Sequence, residues 1–166
     1  MRIQDIDLNN AFSARVLLDS GMTRLLGKWE VKGERMAGSW QLGGPVDAIE
    51  TFEWMEGKQF LIHRSRGQVD RKVVGYTEFI GADRIYSFDN DGYKRTWASE
   101  FNGDTWLITG VSEGHGDRSL MRCITEFVGD AERRSMWERS EDGVTWHTHS
   151  IAVSKLVRAA AMSYAA

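Results

Sequence analysis

Four histidines are the side chains of this 166-residue chain best suited to chemistry near neutral pH. A neutral imidazole can take or give a proton and can bind a metal or haem iron. His63 ends the run Phe60-Leu61-Ile62-His63 and shares a strand face with Leu61. His147 and His149 form a His-x-His pair whose rings point the same way along a strand, on the face of Ile151 and Val153. Such a pair can begin a metal site, but a third ligand has to come from elsewhere, and no Cys or Glu is placed to supply it. The expectation is therefore a strand end without metal or other cofactor. His115, in Gly114-His115-Gly116, reads as an exposed turn residue.

Carboxylates could add acid and base chemistry. Glu53, Glu78, Glu100, Glu126 and Glu138 fall inside strand-like segments, where alternation offers each an outward position, and a solvated exterior is the expectation. An inward pair would serve proton transfer, but a buried carboxylate is costly without a partner, and only the register decides. No nucleophile triad is evident, and Gly110–Gly116 lacks the Lys-Ser/Thr ending of a phosphate loop. Cys123 lies in the alternating apolar run Leu120-Met121-Arg122-Cys123-Ile124-Thr125 and reads as a buried structural thiol.

Aromatic residues supply the other candidates. Trp54 shares a face with Phe52, and Trp97 with Tyr93 and Phe101. Seven tryptophans spread over many strands either fill an interior or leave an aromatic-walled pocket. The expected ligand-contacting set is Trp54, Phe60, His63, Tyr76, Trp97, Trp137 and His149.

The elements that must position these residues are short. After residues without clear period, Asn10 can cap a helix carrying Phe12, Val16 and Leu17 on one face and ending at Gly21. Leu25 and Leu26 suit a turn of helix that plugs one end of a barrel and feeds into its first strand. From Gly27 the pattern becomes alternating. A first strand includes Val31, Gly43-Gly44-Pro45 is a loop signal, and a second strand runs over about 47–55. A third carries Phe60 to His63, Gly67–Arg71 makes a connection, and a fourth carries Val73 to Ile80. Turn signals such as Asn90-Asp91-Gly92 and Asn102-Gly103-Asp104 then separate segments 84–89, 93–101, 105–113, 118–128, 132–140 and 144–157. About ten consecutive antiparallel strands close on themselves to remove their edges. The expected class is all-β: an up-and-down, closed or nearly closed barrel over 27–157, with a helical lid over 1–26 and a tail over 158–166, all one domain.

With 21 basic and 24 acidic residues the net charge is -3 and is scattered, so no nucleic-acid surface is expected. No apolar run reaches membrane-spanning length, and Asp5 and Asp7 interrupt the start of the chain. A cytoplasmic protein without membrane insertion is the expectation, with a homodimer through an outer sheet face as an open alternative.

Gly27-Lys28-Trp29 resembles the Gly-x-Trp that opens the first strand in the calycin group of lipocalins, fatty-acid-binding proteins and nitrobindins. Over about 25–157 the chain is similar to an uncharacterised bacterial lipocalin-like family, through Leu26-Gly27-Lys28-Trp29, Phe60-Leu61, Tyr93-Lys94-Arg95-Thr96-Trp97, Gly103-Asp104-Thr105-Trp106-Leu107-Ile108-Thr109-Gly110 and Ser140-Glu141-Asp142-Gly143-Val144-Thr145-Trp146. The resemblance implies a central cavity for a small molecule. It also implies that Trp29 seals the closed end, packed against a basic residue that Lys155 or Arg158 would supply. Three functions stay open: binding of a small, largely hydrophobic ligand oriented by His63, Tyr76 or His149; an enzyme on the same scaffold (isomerase, cyclase or hydrolase); and nitrobindin-like haem binding through His149.

Overall fold

The computed structural model describes residues 21–38, 43–69, 71–114 and 117–158. A single 3-10 turn, Met22–Leu25, leads into ten strands: β1 (Gly27–Arg35), β2 (Gly44–Trp54), β3 (Leu61–Val69), β4 (Lys72–Ile80), β5 (Arg84–Asp89), β6 (Lys94–Asn102), β7 (Thr105–Gly114), β8 (Asp117–Val128), β9 (Glu132–Ser140) and β10 (His147–Arg158). Each pairs antiparallel with the next, and β1 pairs with β10 to close the barrel. The all-β barrel expected from the turn signals is the fold. Residues 10–20 of the helix expected to end at Gly21, His115 and the tail 159–166 lie outside the described residues.

Period-two alternation fixes which side chains enter. In β1, Gly27, Trp29 and Val31 are buried while Lys28, Glu30 and Lys32 are exposed. Because β1 and β10 close the barrel with Trp29 opposite Leu156 and Val31 opposite Ser154, Leu156 and Ser154 are also drawn inward. One end is sealed. Met22 and Leu25 are fully buried in a cluster with Trp29, Phe52, Leu61, Ile80, Ile85, Trp106 and Phe127, and the Trp29 Nε1–H donates to the Leu25 carbonyl at 2.7 Å. Of the apolar pair before Gly27, Leu25 thus plugs the barrel together with Met22 in the 3-10 turn, while Leu26 caps that turn and is partly buried.

Two turn assignments differ from the sequence reading. Pro45 is in β2 opposite Glu34, not in a loop; it stands next to the strand's first residue, a position that tolerates its missing N–H. Gly67 is inside β3 opposite Ala48 and Val74, and the connection shortens to residues 70–71, with Arg71 at φ 68°. Gly67 is there because the backbones approach too closely for a side chain: a Cβ would lie 2.2 Å from the Asp47 carbonyl oxygen and 2.5 Å from the Ala48 Cβ. Gly67→Ala is expected to destabilise by about 1–3 kcal/mol through overpacking. A urea midpoint equal to that of the unaltered chain would refute this.

Candidate functional site

The interior beyond the sealed end holds a charged cluster. Two adjacent rows of inward residues cross β2, β3 and β4. Phe52, His63 and Glu78 face one another in one row, and Glu50, Ser65 and Tyr76 in the next. From the far side of the barrel, Arg133 of β9 reaches Glu50 and forms an ion pair with it, 83 residues away in sequence. The Tyr76 hydroxyl donates to Glu50 Oε1 at 3.2 Å, and His63 Nδ1–H donates to Glu78 Oε2 at 2.8 Å. His63 Nε2 lies 3.8 Å from Glu50 Oε1, too far for a hydrogen bond, and has no hydrogen-bond partner among the described residues.

Aromatic rings hold these groups in place. Phe52 stacks on the His63 imidazole at 3.9 Å between centroids, and Tyr76 meets it edge-on at 5.2 Å. The Arg133 guanidinium sits 4.7 Å from the Trp29 ring and 4.8 Å from that of Phe52. The basic partner of Trp29 is therefore Arg133. Lys155 is exposed on the outer face, between the inward positions Ser154 and Leu156.

Electrostatics follow from this packing. Burial alone would raise the Glu50 pKa, but the charge of Arg133, with His63 and the Tyr76 hydroxyl, outweighs it and brings the carboxyl down to about 2. Burial alone would lower His63; the carboxylates of Glu50 and Glu78 outweigh that and raise it above its ordinary value. Burial next to Glu50 and Glu78 pushes the Tyr76 phenol well above 10. The site therefore holds a phenol that stays protonated, an ionised Glu50 and a histidine inclined to be cationic. His63 is 4% exposed, yet the Glu50 and Glu78 side chains, enclosed by the same strands, each keep 13% of their surface open.

The other sequence candidates are spread through the barrel. Trp97 and Trp137 meet edge to face at 5.6 Å, Trp97 resting over Gly110, where a Cβ would lie 2.6 Å from the ring. Trp54 packs against the core at the sealed end. Phe60 stands in the bend before β3 and is 37% exposed. His149 lies at a β-bulge between Thr148 and Ser150, which breaks the alternation. Ile151 and Val153 consequently face solvent. His147 is exposed, and the partly buried His149 is held to about 4 by burial and by the charges of Arg35 and Arg139. Ile151, Val153, Ile124 and Met136 line a separate groove of about 560 Å³ on the outer wall.

Of the strand carboxylates, Glu53, Glu100 and Glu126 are exposed and Glu138 pairs with Arg122 at 2.5 Å. Glu78 is the exception, since Ile80 fixes the inward phase of β4. Glu50 and Arg133 were not candidates, although each alternates with an aromatic that was: Glu50 with Phe52 and Trp54, Arg133 with Trp137. Among the described residues, no group of three His, Cys, Asp or Glu side chains could hold a metal ion.

Cys123 is buried and its thiol is pushed up to about 12 by burial. It is expected to stay unmodified by a disulfide-exchange reagent in the native protein and to react stoichiometrically in urea, as read by thiol-exchange absorbance. Prompt native reaction would show that the interior opens.

A closed ten-strand antiparallel meander around a plugged interior defines a calycin-like barrel. Two solved structures share it. The crystal structure of Rv2717c from M. tuberculosis matches with a TM-score of 0.59 and 13% identity, over 85% of this chain and 96% of that one. The S-type phycobiliprotein lyase CPES from Guillardia theta matches with a TM-score of 0.58 and 10% identity, over 89% and 96%. At these identities the likeness is one of fold. No family model and no curated protein matches the sequence. No helix among the described residues is long and apolar enough to cross a membrane.

Proposed function

We propose that the barrel interior binds a small, largely hydrophobic molecule, with His63 and Tyr76 orienting its polar group and Trp97 and Trp137 forming part of the wall. The observation that carries this is a polar cluster with an unpartnered imidazole nitrogen and open surface, set among aromatic rings inside a barrel sealed at one end. Interiors that serve stability alone are packed to contact and satisfy their polar atoms. Binding sites are mostly apolar with a few placed polar groups. Sequestration or transport is the role, and the lone unpaired Cys123 suits a cytoplasmic setting.

A second reading, acid and base catalysis, is favoured by one observation: Glu78 fixes His63 Nδ1 and leaves Nε2 directed at the interior, the orientation a proton-transferring histidine needs. That one structural neighbour is described as a lyase is in keeping with an enzyme on such a scaffold. Native mass spectrometry of the purified protein tests the first reading. A released apolar molecule, or uptake of an environment-sensitive apolar dye into the barrel, is expected; failure of both overturns it.

A further inference from the structure

Among the described residues β1 closes onto β10, which leaves no strand edge free, so a protein partner has to meet the barrel on a face. The groove on the outer wall, across β1, β10, β9 and β8, is such a face. The strand register lays its outward side chains in three rows. The middle row reads Lys32, Val153, Arg134 and Glu126. The row toward the open end reads Glu34, Ile151, Met136 and Ile124, and the row toward the sealed end reads Glu30, Lys155, Glu132 and Val128. Ile151 and Val153 are 44% and 37% exposed, large apolar side chains left open to water between charged ones.

We infer that this face joins two copies of the chain about a two-fold axis running along the strands between β10 and β9. That axis sets β10 of one copy over β9 of the second, and β1 over β8, row against row. Lys32 then faces Glu126 of the second copy, Lys155 faces Glu132, Ile151 faces Met136, and the apolar stem of Arg134 covers Val153. Symmetry makes each contact twice, and no like charges meet. Glu34 and Glu30 fall opposite Ile124 and Val128 at the margin of the face, where both carboxylates stay in water. Lys32 and Arg134 are held by Asp47 and Glu132 of their own copy, yet their side chains remain 69% and 61% exposed, so they project far enough to fill the facing groove. The other axis that would bring this face onto itself, across the strands between the middle row and the open-end row, sets Glu132 against Glu138 and is disfavoured. The match of the face to itself is what selects a second copy over an unrelated protein.

The test is sedimentation equilibrium of the unaltered chain and of three variants on this wall. Four strands and three rows make a small face, so a dimer dissociating at about 10–100 μM is expected. Lys32→Glu and Glu126→Lys each set like charges together twice, and each is expected to weaken the dimer by about tenfold or more. Mixed in equal amounts, these two variants should pair with each other about as tightly as the unaltered chain pairs with itself, because the axis along the strands joins position 32 of one copy to position 126 of the other. Ile151→Asp, which sets a carboxylate on Met136 of the second copy, should weaken the dimer at least as much as either charge reversal. An unaltered chain that stays monomeric up to about 500 μM overturns the dimer. A dimer that any of the three substitutions leaves unchanged, or that mixing fails to restore, overturns this face and axis. The first outcome is read on the unaltered chain alone, so a variant that fails to fold does not remove the test.

Discussion

Arg133→Met is expected to destabilise the protein by about 3–5 kcal/mol, a large share of the total stability of an ordinary domain. The guanidinium is 4% exposed and its partner Glu50 is 13% exposed, so solvent screens neither. Removing the arginine leaves Glu50 buried beside Glu78 and without its counter-charge, and it also strips the cation from between Trp29 and Phe52. The damage is therefore uncompensated charge more than lost attraction. Glu50→Gln in the same chain should restore a good part of the loss, because a neutral amide needs no counter-ion. Urea denaturation of the two single variants and the double variant gives the coupling directly. If the effects simply add, the ion pair does not carry the cost and the cluster is held by packing alone.

The barrel was legible because turn chemistry and alternation are local signals. Asn90-Asp91-Gly92 announces a hairpin from its own residues, and Gly92 does take positive φ, 88°. The limits came where a residue's role depends on a neighbour distant in sequence. Gly67 looks like a turn glycine, and only the approach of Asp47 and Ala48 on the adjacent strand shows that it serves close packing. Pro45 likewise reads as punctuation until β1 is seen beside it. His63 and Tyr76 were visible as candidates, but the ion pair that sets their charge environment joins β2 to β9 across the interior. Arg133 sits in a polar run, Glu132-Arg133-Arg134, in which inward and outward members look alike, and Glu50 stands between Ile49 and Thr51, where hydropathy alone would turn Ile49 inward instead. Their alternation with Phe52 and Trp137 was the signal available, and it needed the phase of each strand. The bulge at His149 shows the converse: one extra residue shifted the phase and put Ile151 and Val153 outside.

Stability should peak near neutral pH and fall on both sides through different groups. Glu50 has a folded pKa of about 2 against 4.5 unfolded. The unfolded chain binds the proton more readily in that interval, so this stability is present above 4.5 and is lost as pH falls from 4.5 toward 2. A shift of that size corresponds to about 3 kcal/mol. His149, held to about 4 against 6.5, acts earlier. It too is protonated more readily when unfolded, so its share disappears as pH falls from 6.5 toward 4. On the alkaline side the sign reverses. His63 is raised in the folded state, and its contribution is complete below 6.5 and is lost as pH rises through its folded value. Cys123, at about 12 against 9, adds a loss between those values, since the unfolded thiol ionises first. Urea midpoints measured from about pH 3 to 11 should trace this dome. His149→Asn should flatten the stretch between 6.5 and 4 and leave the lower fall in place, whereas His63→Phe should remove the alkaline slope that begins above 6.5. An unchanged acid limb in His149→Asn would mean that neither burial nor the charges of Arg35 and Arg139 hold that imidazole down, and an unchanged alkaline slope in His63→Phe would mean that Glu50 and Glu78 do not hold its proton.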